Sequence, residues 1–216
     1  MVTHQNIAKA IQTLKRAVRR WPEPIVGHYK DDPYMTLISC LLSLRTKDET
    51  TRVASERLFR LADNPKEMIA LTPRVIEKAI FPVGFYKTKA KTVLAISQSL
   101  LDRFNGKVPN DLDTLLTLKG VGRKTANLVV TLAFKQDGIC VDTHVHRISN
   151  RWGYVNTKSP EETEMALRNK LPRRYWQTYN DLLVAFGQNL CHPVSPWCSR
   201  CPLSEACARI GVTHSR

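Results

Sequence analysis

Apolar residues recur along this chain at spacings of three and four, the period of a helix buried on one face. Ile7, Ile11, Leu14 and Val18 form one stripe of a helix over residues 5–20, with Lys9, Lys15, Arg16, Arg19 and Arg20 on its other faces. Trp21-Pro22-Glu23-Pro24 stops that helix and marks a boundary. An apolar helix follows over 33–44, then one over 47–61 carrying Val53, Ala54, Leu58 and Leu61. Short helices at 66–71 and 73–80 lead into the loop Phe81-Pro82-Val83-Gly84-Phe85-Tyr86, and a long helix spans about 88–104. Asn105-Gly106-Lys107-Val108-Pro109 reads as a loop. Beyond it the pattern predicts helices at 110–118, 123–134, 143–152, 160–170 and 173–190. Strand signals are nearly absent, and periodicity alone gives an all-α chain without repeats or long linkers.

The stretch from Leu118 to His144 carries the strongest chemical signal. Asn110 or Asp111 can cap the short helix before it, whose Leu112, Leu115 and Leu116 share a face. Gly120 and Gly122 then flank Val121 in a tight hairpin, where glycine supplies backbone angles that other residues resist. The next helix opens on Arg123 and Lys124, and its first-turn amides lack intrahelical partners. Together these groups form an anion site, with a phosphate backbone as the natural anion. Lys124 has two readings. One is a further phosphate contact; the other is a nucleophile, its neutral amine favoured by the helix N-terminus, by Arg123 and by a desolvating cleft. Asp142, between Ile139-Cys140-Val141 and Thr143-His144, reads first as the cap of the following helix and second as a reacting carboxylate.

Charge and cysteine usage narrow the class. Lys and Arg total 33 against 19 Asp and Glu, for a net charge of +14, which calls for a polyanionic partner. No apolar run is long enough to span a bilayer, so the expected protein is soluble and intracellular, with nucleic acid rather than membrane as partner. Of six cysteines, Cys40 and Cys140 sit in apolar runs as buried thiols. Cys191, Cys198, Cys201 and Cys207 crowd the C-terminus at spacings that suit a metal centre in a reducing compartment. Chemistry alone leaves iron–sulfur and zinc about even.

Leu118-x-Gly120-Val121-Gly122-Arg123-Lys124-Thr125-Ala126-Asn127, followed by Val141-Asp142-Thr143-His144, resembles endonuclease III, a helix-hairpin-helix DNA glycosylase with abasic-site lyase activity. The resemblance covers essentially the whole chain. It implies two helical domains: a six-helix domain over about 23–133 holding the hairpin, and an iron–sulfur domain built from 1–22 and 134–216, with the active-site cleft between them. It implies Lys124 as nucleophile, Asp142 as catalytic carboxylate, and a [4Fe–4S] cluster on Cys191, Cys198, Cys201 and Cys207. It further implies that Phe85, with Val83 beside it, wedges into the DNA. Arg45 stands where that family commonly has a gap-filling glutamine; an arginine can fill, stack and donate to the orphaned base. Gly120, Gly122 and Arg123 would meet phosphate, and His144 would line the pocket or touch phosphate. Lys87, Lys89 and Lys91 are expected on a solvated or phosphate-facing surface. Between the first two cysteines the family often carries basic residues, whereas this loop is His192-Pro193-Val194-Ser195-Pro196-Trp197, leaving Arg200 and Arg209 as the basic residues nearby.

The expected activity is excision of a damaged base, an oxidised pyrimidine, from double-stranded DNA, with β-elimination through a lysine Schiff base. The enzyme is expected to act as a cytoplasmic, nucleoid-associated monomer. A monofunctional glycosylase for mismatched adenine or thymine shares the fold. Against the adenine enzyme, residues 35–44 hold no acidic residue and only nine residues follow Cys207. A non-catalytic redox-sensing DNA binder is the alternative from another class.

Overall fold

The computed structural model describes residues 1–21 and 28–216. The helix stop read at Pro22-Glu23-Pro24 and the boundary placed at 22/23 lie outside these residues. Eleven α-helices run in order among the described residues: α1 Ile7–Val18, α2 Pro33–Ser43, α3 Asp48–Phe59, α4 Pro65–Ile69, α5 Pro73–Ile80, α6 Tyr86–Phe104, α7 Leu112–Leu116, α8 Arg123–Leu132, α9 Thr143–Arg151, α10 Pro160–Lys170 and α11 Trp176–Asn189. The class is all-α.

Several helices share one start signal, a capping side chain followed by proline. Asp32, Asn64, Thr72 and Ser159 accept from the amides of Met35, Glu67, Val75 and Glu162, and the next residue is proline each time. The side chain satisfies an orphan donor, and proline lacks the N–H that would need another. Asp111 caps α7 through the Thr114 amide, which confines that helix to residues 112–116 instead of 110–118. The segment read as one helix over 173–190 opens with a 3-10 turn, Arg173–Tyr175.

Two compact units make up the chain, Ile25–Gly138 and Met1–Pro24 with Ile139–Arg216. In the first, α2 to α8 surround a core that includes Leu37, Ile38, Leu42, Leu58, Ile76, Ile80, Val93, Ile96, Leu100 and Val129. Val53 and Leu61 do not join it: Val53 is exposed because α3 turns its Ala54–Leu58 face inward, and Leu61 is exposed beyond the end of α3. In the second unit Ile7, Ile11 and Leu14 of α1 join Val145, Ile148, Trp152, Tyr179, Leu183 and Phe186. No helix among the described residues is long and apolar enough to cross a membrane.

Candidate active site and cysteine cavity

The hairpin before α8 is fixed from below. Leu118 and Val121 are buried, and the Val121 N–H donates to the Leu118 carbonyl at 3.0 Å. Gly120 has φ +89, and a Cβ there would stand 2.6 Å from Thr92 Cγ2, so the fold itself demands glycine. Gly122 differs: it is the extended N-cap of α8, and a Cβ added to it meets nothing within 4 Å. A Cβ at Gly122 would thus enter open space, and the glycine cap brings no side-chain oxygen to the α8 amides. Lys124 sits half-buried on this first turn, while Thr125, Ala126 and Asn127 beyond it are buried. The Asn127 amide donates to the Arg123 carbonyl at 3.1 Å and stiffens the turn.

In the other unit, Asp142 caps α9. Its Oδ1 accepts from the His144 and Val145 amides, both at 2.9 Å, which fixes the carboxylate's direction. His144 Nδ1 lies 3.1 Å from Arg147 Nη2, and α11 passes so close that a Cβ on Gly187 would stand 2.3 Å from Nδ1. His146 turns away, pairing with Thr163 Oγ1 at 2.7 Å and tying α9 to α10.

The two segments expected to enter DNA stand together. Phe85 is 64% exposed, and the Arg45 guanidinium lies over its ring at 5.6 Å. Both residues take left-handed backbone angles, φ +54 at Arg45 and +57 at Phe85, which are uncommon for residues other than glycine. Val83 is a correction. It is 1% exposed and packs in the core with Ile80 and Ala90, so it anchors the loop and does not face DNA. Lys89 is a second correction: at 6% exposure it belongs to neither a solvated nor a phosphate-facing surface.

Cys191, Cys198, Cys201 and Cys207 line one cavity with Arg151, Trp152, Phe186, Leu190 and Trp197, and none is in a disulfide. Among the described residues no three His, Cys, Asp or Glu are arranged to hold a single metal ion. Burial first, then the neighbouring Cys191, Cys207 and Cys198, push the Cys201 thiol up to about 11. Four thiolates here therefore call for positive charge among them. Sequence reasoning missed Arg151. Buried at the end of α9, it donates from Nη1 to the His192 carbonyl and from Nη2 to the Pro193 carbonyl, both at 2.6 Å, with Cys191 Sγ at 3.5 Å. Arg147, one turn earlier, donates to the Cys191 carbonyl at 2.9 Å. The available signal was the i, i+4 arginine pair on α9.

Residues 38–173 match the HhH-GPD superfamily of base excision DNA repair proteins. Endonuclease III of Thermotoga maritima is 44% identical over 193 residues, 89% of each chain. The structure of a trapped endonuclease III–DNA covalent intermediate, an estranged-adenine complex, superposes with TM-score 0.86 at 33% identity over 97% of both chains. A non-covalent endonuclease III–DNA complex gives 0.87 at 34% identity, again over 97% of both. The chain spans about half, 48%, of the length of the chloroplastic homologues from Arabidopsis thaliana.

Proposed function

The chain belongs to the HhH-GPD superfamily of base excision DNA repair proteins and, within it, to the endonuclease III family, and from that premise we propose how its residues act. It is a bifunctional DNA glycosylase and abasic-site lyase that works on double-stranded DNA. The observation that carries the residue assignment is Lys124, half-buried on the first turn of α8 two residues after the uncrowded Gly122 cap.

A damaged base, in this reading an oxidised pyrimidine, is turned out of the duplex, because its glycosidic bond is out of reach in the stack. Phe85 and Arg45 occupy the space it leaves. The amides of the Gly120–Gly122 hairpin and the Arg123 side chain hold phosphate, with His144 a further contact to the DNA. Neutral Lys124 attacks the sugar C1′; the bond from C1′ to the base breaks, and its electron pair leaves with the base, which takes up a proton. The Asp142 carboxylate, aimed by two amides, stabilises the positive charge developing on the sugar and accepts the proton shed by Lys124. The C1′–O4′ bond then breaks, O4′ takes up a proton, and a Schiff base forms between Lys124 Nζ and C1′. Water takes the C2′ proton, the C2′–H electron pair becomes a C2′–C3′ double bond, and the C3′–O bond breaks so that the 3′ phosphate leaves with its electron pair. Water hydrolyses the imine and returns Lys124.

The family implies an iron–sulfur cluster. Cys191, Cys198, Cys201 and Cys207 would hold it as [4Fe–4S], one thiolate to each iron, and their shared cavity supports this reading. The cluster would supply structure, fixing a C-terminal tail in which α-helix ends at Asn189. Every chemical step above runs through the chain's own residues.

Duplex DNA with one abasic site tests the assignment in chelator-containing buffer. The parent protein should nick it, leaving an unsaturated sugar fragment on the 3′ end. Lys124→Ala should lose nicking by about a thousandfold or more, the scale of losing a covalent nucleophile, while keeping most of its DNA affinity. Nicking by Lys124→Ala at near the parental rate would move the chemistry to another amine.

A further inference from the structure

Lys89 is a buried cation in the unit that carries Lys124, and the proposed reaction makes no use of it. It stands on the first turn of α6, where its amide donates to the Phe85 carbonyl at 2.9 Å. Its side chain runs to the end of α2. There Nζ donates to the Leu42 carbonyl at 2.8 Å, the Leu44 carbonyl at 2.5 Å and Thr46 Oγ1 at 3.3 Å, so all three ammonium protons are placed. A helix C-terminus carries partial negative charge, which suits an ammonium held against its last carbonyls. The Thr46 hydroxyl completes the link: it donates to the Leu44 carbonyl at 3.3 Å and accepts from the Gly84 amide at 3.1 Å. Gly84 lies so close to the Arg45 turn that a Cβ would stand 2.6 Å from the Arg45 carbonyl oxygen. One ammonium therefore ties together the end of α2, the turn bearing Arg45 and the loop bearing Phe85. Burial lowers Lys89 from an ordinary 10.5 to about 8, which leaves the charged form dominant at neutral pH.

We propose that Lys89 is a positioning residue that locks the Arg45 turn to the Phe85 loop, so that the stacked pair enters the duplex as one rigid head. The inference rests on the reading of Arg45 and Phe85 as gap-filling residues. Two separately mobile turns would each lose conformational freedom on insertion; joined in advance, they lose little more. Both hold left-handed φ angles, and contacts to the backbone around them offset the strain of that conformation. Lys89 touches neither DNA nor the reacting atoms, so its effect passes entirely through the head.

The experiment compares the parent, Lys89→Met, Thr46→Val and Arg45→Ala/Phe85→Ala on three substrates: lesion duplex, undamaged duplex and single-stranded abasic DNA. The single strand has no gap to fill and reports only the lyase chemistry. Lys89→Met should lower single-turnover excision on lesion duplex about tenfold and shrink the preference for lesion over undamaged duplex, while single-strand cleavage stays at the parental rate. Thr46→Val, which breaks only the bridge, should move the same way by about threefold. Added to Arg45→Ala/Phe85→Ala, Lys89→Met should cause no further loss, because the two act through one element. An equal fall in single-strand cleavage would show general damage to the fold and overturn the proposal. So would full additivity. Should Arg45→Ala/Phe85→Ala cost discrimination while Lys89→Met and Thr46→Val do not, the proposal alone fails. Should Arg45→Ala/Phe85→Ala cost nothing, the gap-filling reading and the proposal fall together.

Discussion

The two units of this chain are held together by different chemistry. Ile25–Gly138 is continuous in sequence and closes around aliphatic side chains from α2, α3, α5, α6 and α8. Among its described residues Lys89 is the charged group that is buried. The other unit joins Met1–Pro24 to Ile139–Arg216, and polar bonds run through it. Arg151 holds the His192 and Pro193 carbonyls, Glu164 pairs with Arg168 at 3.0 Å, and the Tyr179 hydroxyl meets Ser149 at 3.1 Å. Its tail beyond Asn189 folds back on itself, with Arg200 and Arg216 stacked on Trp197 at 4.7 and 4.3 Å. A run of amphipathic helices brings its own core. A tail without helical periodicity depends on guanidinium–carbonyl bonds and on whatever its cysteines bind.

That difference can be broken most severely at the cysteines. Cys198→Ala should lose iron, colour and solubility together, since the four thiols line a single cavity. Purified parent protein should be yellow-brown with about four irons per chain. Colourless protein holding one zinc would replace the cluster with a structural zinc site. Next come single deletions on each side. Leu58→Ala, in the aliphatic core, should destabilise by about 2–5 kcal/mol with the cluster absorbance per folded molecule unchanged. Arg151→Met should lose about 1.5–3 kcal/mol for each charge-assisted bond removed, and should lower cluster occupancy as well. If Arg151→Met leaves occupancy intact, the tail does not rely on that guanidinium.

The smallest effect concerns Lys89, the charged exception in the aliphatic unit. Its folded value, about 8, lies below the ordinary 10.5. Below 8 both folded and unfolded chains carry the proton, and the burial penalty is constant. Between the two values the unfolded chain binds more protons, so stability rises with pH across that window and levels off above it. Denaturation midpoints of the parent should therefore gain on those of Lys89→Met between neutral pH and about pH 10. A constant difference across that range would mean that Lys89 titrates as an exposed lysine does.

Helix identity was legible because caps and periodicity agree locally. Asp32-Pro33, Asn64-Pro65, Thr72-Pro73 and Ser159-Pro160 start helices where the sequence places them. The Gly120–Gly122 hairpin could be read in part, since Gly120 announces a backbone requirement, whereas Gly122 is extended and carries none. Side-chain direction in loops was not legible. Val83 and Phe85 are two residues apart in one loop, yet one is a core residue and the other is exposed. Phe85 takes a left-handed backbone angle that no glycine at that position marks. Lys89 looked like its neighbours Lys87 and Lys91 because its partners lie more than 40 residues away, at Leu42, Leu44 and Thr46. Arg151 was hidden in the same way, its acceptors being carbonyls, which leave no trace in sequence.

The central claim is that Lys124 Nζ forms the bond to the sugar C1′. Borohydride reduction during turnover on abasic duplex turns the imine into a stable amine, and proteolysis of the adduct followed by mass spectrometry locates the attached residue. The sugar remnant should sit on the peptide containing Lys124, with no adduct formed by Lys124→Ala. A remnant on Lys119, Lys89 or the N-terminal amine, formed as fast in Lys124→Ala as in the parent, would contradict it.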